Sequence, residues 1–287
     1  MSSAVSLEQR RCLSLLFYRA VRDLKPVWML EDMRTMLALC PDEDHSQKTY
    51  SPSEALLYAV VHDHQAYAQY LLSRFPEEAL AEPGERFCCC PTPSPHLSLA
   101  VRYDRHSILG LILQVVHRLP RAAPDVREGL VQQGDGKTPL HLACEMVRPE
   151  AMLLLLGSGE SPVAPDAQGL TPLDILLEQL KDCKEASRGR RQCVDTLLMF
   201  MPRLQFHMQG ALRREPHRWT SALGPDTVQF LTGQRPAPLL LISMQTVLQQ
   251  LSPTTFSDSL MQLPIPPSLK PAGLAHGPGP HCRDRTL

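Results

Sequence analysis

Read as apolar against polar positions, the chain falls into short amphipathic stretches with helical spacing, each closed by a cluster of turn-forming residues. In "LSLLFYRAVRDLKPVWMLEDMRTMLAL" apolar residues recur every three or four positions and Pro26 interrupts the run. That spacing predicts two helices, with Trp28 packed in the core. The texture returns in "ALLYAVVHDHQAYAQYLLSRFP", "HLSLAVRYDRHSILGLIL" and "PLHLACEMVRPEAMLLLLGSG", each a pair of apolar blocks parted by a few polar residues. No stretch alternates with period two for long enough to build a sheet, so the pattern predicts an all-α protein.

Two stretches are copies of one another. "GKTPLHLAC" at Gly136–Cys144 and "GLTPLDILL" at Gly169–Leu177 share Gly, Thr, Pro and Leu in register, 33 residues apart. Thr138 supplies a capping hydroxyl, and Pro139 takes the first helical position, where its missing N–H costs nothing. Leu140 and Ala143 are expected to face inward, and "AMLLLLGSG" ends in glycines suited to a left-handed helix terminus. In the same frame Ala59 and Ala100 take the place of Ala143, with spacings of 41 and 43 residues. The excess lies in turn-rich inserts, "EEALAEPGERFCCCPTPSP" and "LPRAAPDVREGLVQQGD". A fourth copy is interrupted by "KDCKEASRGRR", read as a solvated loop, before "QCVDTLLMFM".

These copies resemble the ankyrin repeat, in which two short antiparallel helices bury their apolar faces only against neighbouring copies. The resemblance implies an ankyrin-repeat helical solenoid: an N-terminal helical cap over 1–45, about four repeats over 46–205 and a connecting helical region over 206–237. It places His141 to hydrogen-bond the turn, whereas Asp174 in the next copy implies a turn held differently. Repeat geometry assigns target contacts to the residues between paired helices and at hairpin tips, here His62, His64, Arg102, Tyr103, Glu145, Met146 and Asp166.

Toward the C-terminus, Leu239, Ser243 and Val247 are spaced i, i+4, i+8 and share one helical face, with Pro238 to start the helix and Pro253 to end the run beyond it. "LPIPPSLK" then alternates aliphatics with prolines, which predicts a rigid extended recognition strip. The combination resembles a SOCS box over 238–271. Pro238, Leu239, Ser243 and Val247 match its elongin-binding helix, with Ser243 where that family keeps a Cys in a small apolar pocket. Leu263, Pro264, Ile265 and Pro266 match its cullin-5 segment, and Leu269 stands at a further aliphatic position.

Over roughly residues 11–271 the chain is also similar to the ankyrin repeat domain-containing protein 9 family. The similarity is carried by "FYRAVRDLKPVWMLEDMR", "YSPSEALLYAVVHDHQAYAQYLL", "TPLHLACEMVRPEAMLLLLGSG" and "LPIPPSLKP". It implies a substrate receptor that joins elongin B, elongin C, cullin-5 and its RING partner to protein targets, with ubiquitination and proteasomal degradation as the outcome. Inosine monophosphate dehydrogenase is among that family's targets, and its location is cytosolic or on cytoplasmic vesicles. The competing expectation is a non-degradative ankyrin scaffold with a proline-rich linker. The tail over 272–287 lies outside the similarity and is read as disordered.

Composition narrows the classes further. With 43% hydrophobic residues, 5% aromatics and 27 prolines, the 287-residue chain reads as globular, with helices cut by many turns. Basic and acidic residues number 29 and 30, giving a net charge of -1 and no field to draw nucleic acid or anionic lipid. Nine cysteines without repeated spacing suit free thiols in a reducing compartment. The run Cys88–Cys90 lacks the Cys-x-x-Cys spacing of a zinc site, and "GSGES" follows a helix where a phosphate loop precedes one. No secretory leader or membrane-length apolar run is evident, so the expectation is a soluble intracellular protein. No nucleophile elbow, His-Glu-x-x-His or cofactor loop occurs, so neither catalysis nor cofactor nor metal is expected.

Overall fold

One left-handed turn, repeated along the chain, organises the molecule. The structure is a computed structural model and describes residues 15–36, 50–84, 95–119, 136–181 and 187–266, among which the regular elements are all helices. Cys88–Cys90, Leu269 and the 272–287 tail lie outside the described residues. The chain divides into two compact units, residues 1–139 and 140–287. The first holds α1 (residues 15–22), α2 (Val27–Met36), α3 (Pro52–Val61), α4 (Gln65–Arg74), α5 (Pro76–Leu80), α6 (Pro95–Arg102) and α7 (His106–Arg118). The second holds α8 (Pro139–Glu145), α9 (Pro149–Gly157), α10 (Pro172–Leu180), α11 (Arg188–Met199), α12 (Gln209–Arg214), α13 (Pro216–Leu223) and α14 (Pro225–Leu231). It ends in α15 (Leu239–Gln249), a 3₁₀ turn at Pro253–Thr255 and α16 (Phe256–Gln262).

The expected helix pairs are α3 with α4, α6 with α7, α8 with α9 and α10 with α11. In the first three of these the residue four beyond the inward alanine is left-handed: Asp63 (φ 56°), Asp104 (φ 59°) and Val147 (φ 54°). The next N–H then donates to that alanine's carbonyl: His64 to Ala59 at 2.9 Å, Arg105 to Ala100 at 2.8 Å and Arg148 to Ala143 at 2.9 Å. The three alanines are buried, and their small side chains let helices approach.

Helices α1 and α2 use the same device, with Leu24 at φ 51° and the Lys25 N–H donating to Ala20 O at 3.0 Å. Ala20, Pro26 and Leu30 stand in register with Ala143, Pro149 and Leu153. The helical cap expected from sequence is therefore a fifth copy of the repeat.

Burial follows the register. Phe17, Leu56, Leu97, Leu140 and Leu173 occupy equivalent positions and are all buried, each contributing roughly 1.5–3 kcal/mol of apolar transfer. Polar side chains tie copies together at helix C-termini, where carbonyls otherwise lack partners. Arg105 Nη2 donates to Val61 O at 3.0 Å in the first unit, and Gln179 Nε2 donates to Glu145 O at 2.7 Å in the second.

In the first unit, Phe17 stacks on Tyr50 with ring centroids 4.6 Å apart and meets Tyr58 and Tyr67 edge-on. Helix α2 turns Leu30 and Arg34 inward, and Arg34 Nη1 donates to Tyr50 O at 3.1 Å. Trp28 lies two residues from Leu30, about 200° around a helix, and is 69% exposed. The core role expected for Trp28 is thus wrong: helical phase sends it into solvent.

Gly136 (φ 73°), near the end of the first unit, and Gly169 (φ 82°), in the second, precede their Thr-Pro-Leu openings in the left-handed region that glycine adopts without strain. His141 Nε2 lies 3.1 Å from Leu170 O, so it bonds the following copy's turn. Asp174 instead closes a capping box with Thr171 and accepts from the His207 and Met208 N–H groups, both at 2.8 Å, pinning the start of the connecting region. Helix α11 begins at Arg188 with Ser187 as its cap, so the Arg188–Arg191 run forms a helical turn rather than the loop expected.

Candidate functional site

The hairpin tips selected from sequence divide into solvent-facing and structural residues. In the first unit Arg102 ends α6, and Tyr103, 42% exposed, follows it beside the left-handed Asp104. His62 caps the end of α3 half-buried, with its ring edge-on to Tyr18 at 4.8 Å. Its Nε2 is enclosed without a hydrogen-bond partner, and burial, then the charges of Arg22 and Arg105, lower its pKa below the usual imidazole value. In the second unit Glu145 and Met146 are half-buried between α8 and α9.

Two of the selected residues serve the fold instead. His64 is only 6% exposed; its Nδ1 accepts from the Tyr67 N–H at 3.2 Å, which leaves Nε2–H to donate to Lys25 O at 2.9 Å. It caps α4 and binds the preceding turn, so it has no free donor or acceptor for a target. Asp166 is 7% exposed and accepts from the Gln168 and Leu170 N–H groups at 2.9 and 2.8 Å, closing the turn before Thr171.

The C-terminal helix presents a second surface. Pro238 sits at the N-cap of α15, and Leu239 is 80% exposed in the first turn with Leu240 and Ile242 beside it. Ser243 is exposed and Val247 half-buried on the same side. Ser243 Oγ donates to Leu239 O at 2.9 Å, so its hydroxyl is satisfied within its own helix. The opposite face is fully used. Met244 and Leu248 join Leu153, Phe256 and Leu260 in one buried cluster, and Gln245 Nε2 donates to Leu198 O and Met201 O at 2.9 and 3.1 Å, past the end of α11.

The segment after α16 is bent rather than extended. The Ile265 N–H donates to Leu263 O at 2.8 Å, an i to i+2 bond centred on Pro264. Leu263 and Ile265 pack against the buried cluster, whereas Pro264 and Pro266 are exposed. Phe256 also lies directly on Gly157, where an added Cβ would stand 2.1 Å from the ring. Sequence reasoning missed Gln245, Phe256 and the close approach at Gly157. The signal available was a buried-phase Gln in an otherwise apolar helical face.

Among the described residues no group of His, Cys, Asp or Glu could hold a metal ion, and no helix is long and apolar enough to cross a membrane. The repeated helix pairs and their solvent-facing tips define an ankyrin-repeat protein, a class that generally binds other proteins rather than catalysing reactions. The ankyrin repeat family pattern matches residues 135–167. Ankyrin repeat domain-containing protein 9 of Mus musculus is 41% identical over 296 aligned positions, spanning 93% of this chain and 91% of that protein, and the chain belongs to that family. Other matches are shorter. Neurogenic locus notch homolog protein 4 of Homo sapiens is 41% identical over 64 residues, 22% of this chain and 3% of that protein. Regulatory protein NPR5 of Arabidopsis thaliana is 51% identical over 79 residues, 28% and 15% respectively.

Proposed function

We propose that the chain is the substrate receptor of a cullin-5 RING ubiquitin ligase, binding protein targets through its repeats and elongins B and C plus cullin-5 through its C-terminal segment. The observation that carries this reading is the apolar row Leu239, Leu240 and Ile242, left 80%, 55% and 45% exposed on a helix whose other face is already spent on the repeats. Exposed aliphatics on a helix rigidly held by its far side are a docking surface rather than a core feature. Ser243 fits the same pocket that suits a Cys, because its hydroxyl stays paired to Leu239 O and brings no orphan donor into apolar surroundings. A scaffold with a free proline-rich linker is disfavoured, since a linker would not bury Leu263 and Ile265.

In this reading the receptor does no chemistry. It holds a target near the charged ubiquitin carrier and raises their effective concentration. Arg102, Tyr103, His62, Glu145 and Met146 are the target contacts, the target class is that of the family's nucleotide-synthesis enzymes such as inosine monophosphate dehydrogenase, and the setting is the cytosol or cytoplasmic vesicles. Affinity capture of the tagged chain tests it. The wild type should bring down elongins B and C with cullin-5, and a Leu239→Asp/Val247→Asp variant that keeps its helical signal should lose them. Absence of elongin C from the wild-type capture would return the C-terminus to a purely structural role.

A further inference from the structure

Five Ser-Pro or Thr-Pro pairs fall among the described residues, headed by Ser51, Thr138, Ser161, Thr171 and Ser252. Three of them are built into helix starts. Ser51 Oγ and Thr171 Oγ1 accept from the Glu54 and Asp174 N–H groups as N-caps, and Thr138 is buried. Ser161 is exposed, and its Oγ accepts from the Val163 N–H at 3.4 Å. Ser252 differs from all four. It stands with Pro253, Thr254 and Thr255 in a run of exposed residues between α15 and α16, and its Oγ meets another exposed hydroxyl, Thr254 Oγ1, at 2.8 Å. Its backbone is extended, at φ -70° and ψ 130°, and the 3₁₀ turn that follows is closed by the Thr255 N–H on Ser252 O at 3.2 Å. Short exposed turns of this kind open readily.

We propose that Ser252 is a phosphorylation site for a proline-directed protein kinase, and that a phosphate there weakens docking at α15. The second half rests on the receptor reading above; the first stands apart from it. Kinases of that class take Ser or Thr followed by Pro in an extended, solvent-exposed segment. In the transfer, the Ser252 hydroxyl oxygen attacks the γ-phosphorus of ATP, its proton passes to the kinase's catalytic Asp, the bond from that phosphorus to the β–γ bridging oxygen breaks, and ADP leaves. The product brings close to two negative charges. No Lys or Arg lies between Arg235 and Lys270, and Asp258 already stands in the first turn of α16. The phosphate sits two residues beyond Gln250, the C-cap of α15, at the negative end of the helix that presents Leu239, Leu240 and Ile242. A dianion without a basic partner in its own segment, beside an apolar docking helix, opposes burial of that helix by a partner.

Incubation of the full chain with ATP and a purified proline-directed kinase, followed by peptide mapping by mass, tests the site. The peptide holding Ser252 should gain one phosphoryl group in the wild type and none in Ser252→Ala or Pro253→Ala, both with unchanged helical signal. A wild type left unmodified at Ser252, or a Pro253→Ala chain modified as readily, would overturn the assignment. Calorimetric titration with the elongin B–elongin C complex then reads the consequence. Phosphorylated wild type should bind roughly 5-fold more weakly or worse, and kinase-treated Ser252→Ala should bind like the untreated chain. Equal binding by phosphorylated and unmodified wild type overturns the regulatory half. Failure of the unmodified chain to bind the elongins overturns the receptor reading and the regulatory half with it, while the mass data decide the site by themselves.

Discussion

Helix α11, the outer helix of the last repeat, has its end covered by the chain itself: the Gln245 amide of α15 reaches Leu198 O and Met201 O. Helix α2, the outer helix of the first repeat, leaves Trp28 in water. Each is the second helix of its pair, and the two differ in what flanks them. The covered end shows what a sealed helix looks like here: one buried amide on two carbonyls, with a Phe ring seated on Gly157 at the end of neighbouring α9. The exposed end leaves Trp28 69% and Leu24 57% in solvent.

The contrast can be broken first at the seal. Phe256→Ala removes a buried ring from the cluster around Leu153 and is expected to cost about 3–5 kcal/mol, lowering the unfolding temperature of the second unit by calorimetry. Gly157→Ala attacks the same contact from the other side, since its methyl would overlap the ring, and should lower that transition too. Gln245→Ala removes both of its bonds, leaving Leu198 O with only the Met201 N–H, and should cost about 2 kcal/mol in chemical denaturation.

Acid sharpens the comparison from the other unit. His96 is enclosed in the first unit with its Nε2 3.1 Å from both Ser53 O and Ser53 Oγ. The Ser53 hydroxyl is committed to Ala81 O at 2.7 Å, so the imidazole is the donor. Burial drives the folded pKa of His96 from 6.5 down to about 4. Above pH 6.5 both folded and unfolded states hold it neutral and it contributes nothing. Below 6.5 the unfolded state takes up a proton that the folded state refuses, so stability falls by about 2 kcal/mol on reaching pH 5. Urea titrations from pH 7 to 5 should show that slope, and His96→Gln should flatten it. The smallest effect is a gain: Leu24→Gly relieves a left-handed, solvent-facing leucine and should raise the first unit's stability by about 1 kcal/mol.

Much of this architecture is legible in the chain because two copies keep Gly-Thr-Pro-Leu, where each residue type answers one backbone need: left-handed turn, cap, first helical position and core. The first copy escapes notice because it lacks that opening, although Ala20, Pro26 and Leu30 hold the register. Trp28 is misplaced by three-to-four spacing because such spacing does not fix which phase faces inward; a buried Leu30 sends Trp28 out. Polar residues at hairpin tips look alike in sequence, so His64 and Asp166 read as contacts, yet these two spend their acceptors on backbone N–H groups within four residues. Leu239, Ser243 and Val247 share one face by spacing alone, and that face points outward. The bend at Pro264 is not legible, since an alternating aliphatic-proline run reads as extended until a core exists to receive Leu263 and Ile265.

The most direct test of the adaptor account is a calorimetric titration of the purified full chain with the purified elongin B–elongin C complex. The account predicts one-to-one binding that weakens ~10-fold or more, at least about 1.4 kcal/mol, in Leu239→Asp, and that is unchanged in Trp28→Ser. Heat signals that are absent for the wild type, or identical for Leu239→Asp, would contradict it.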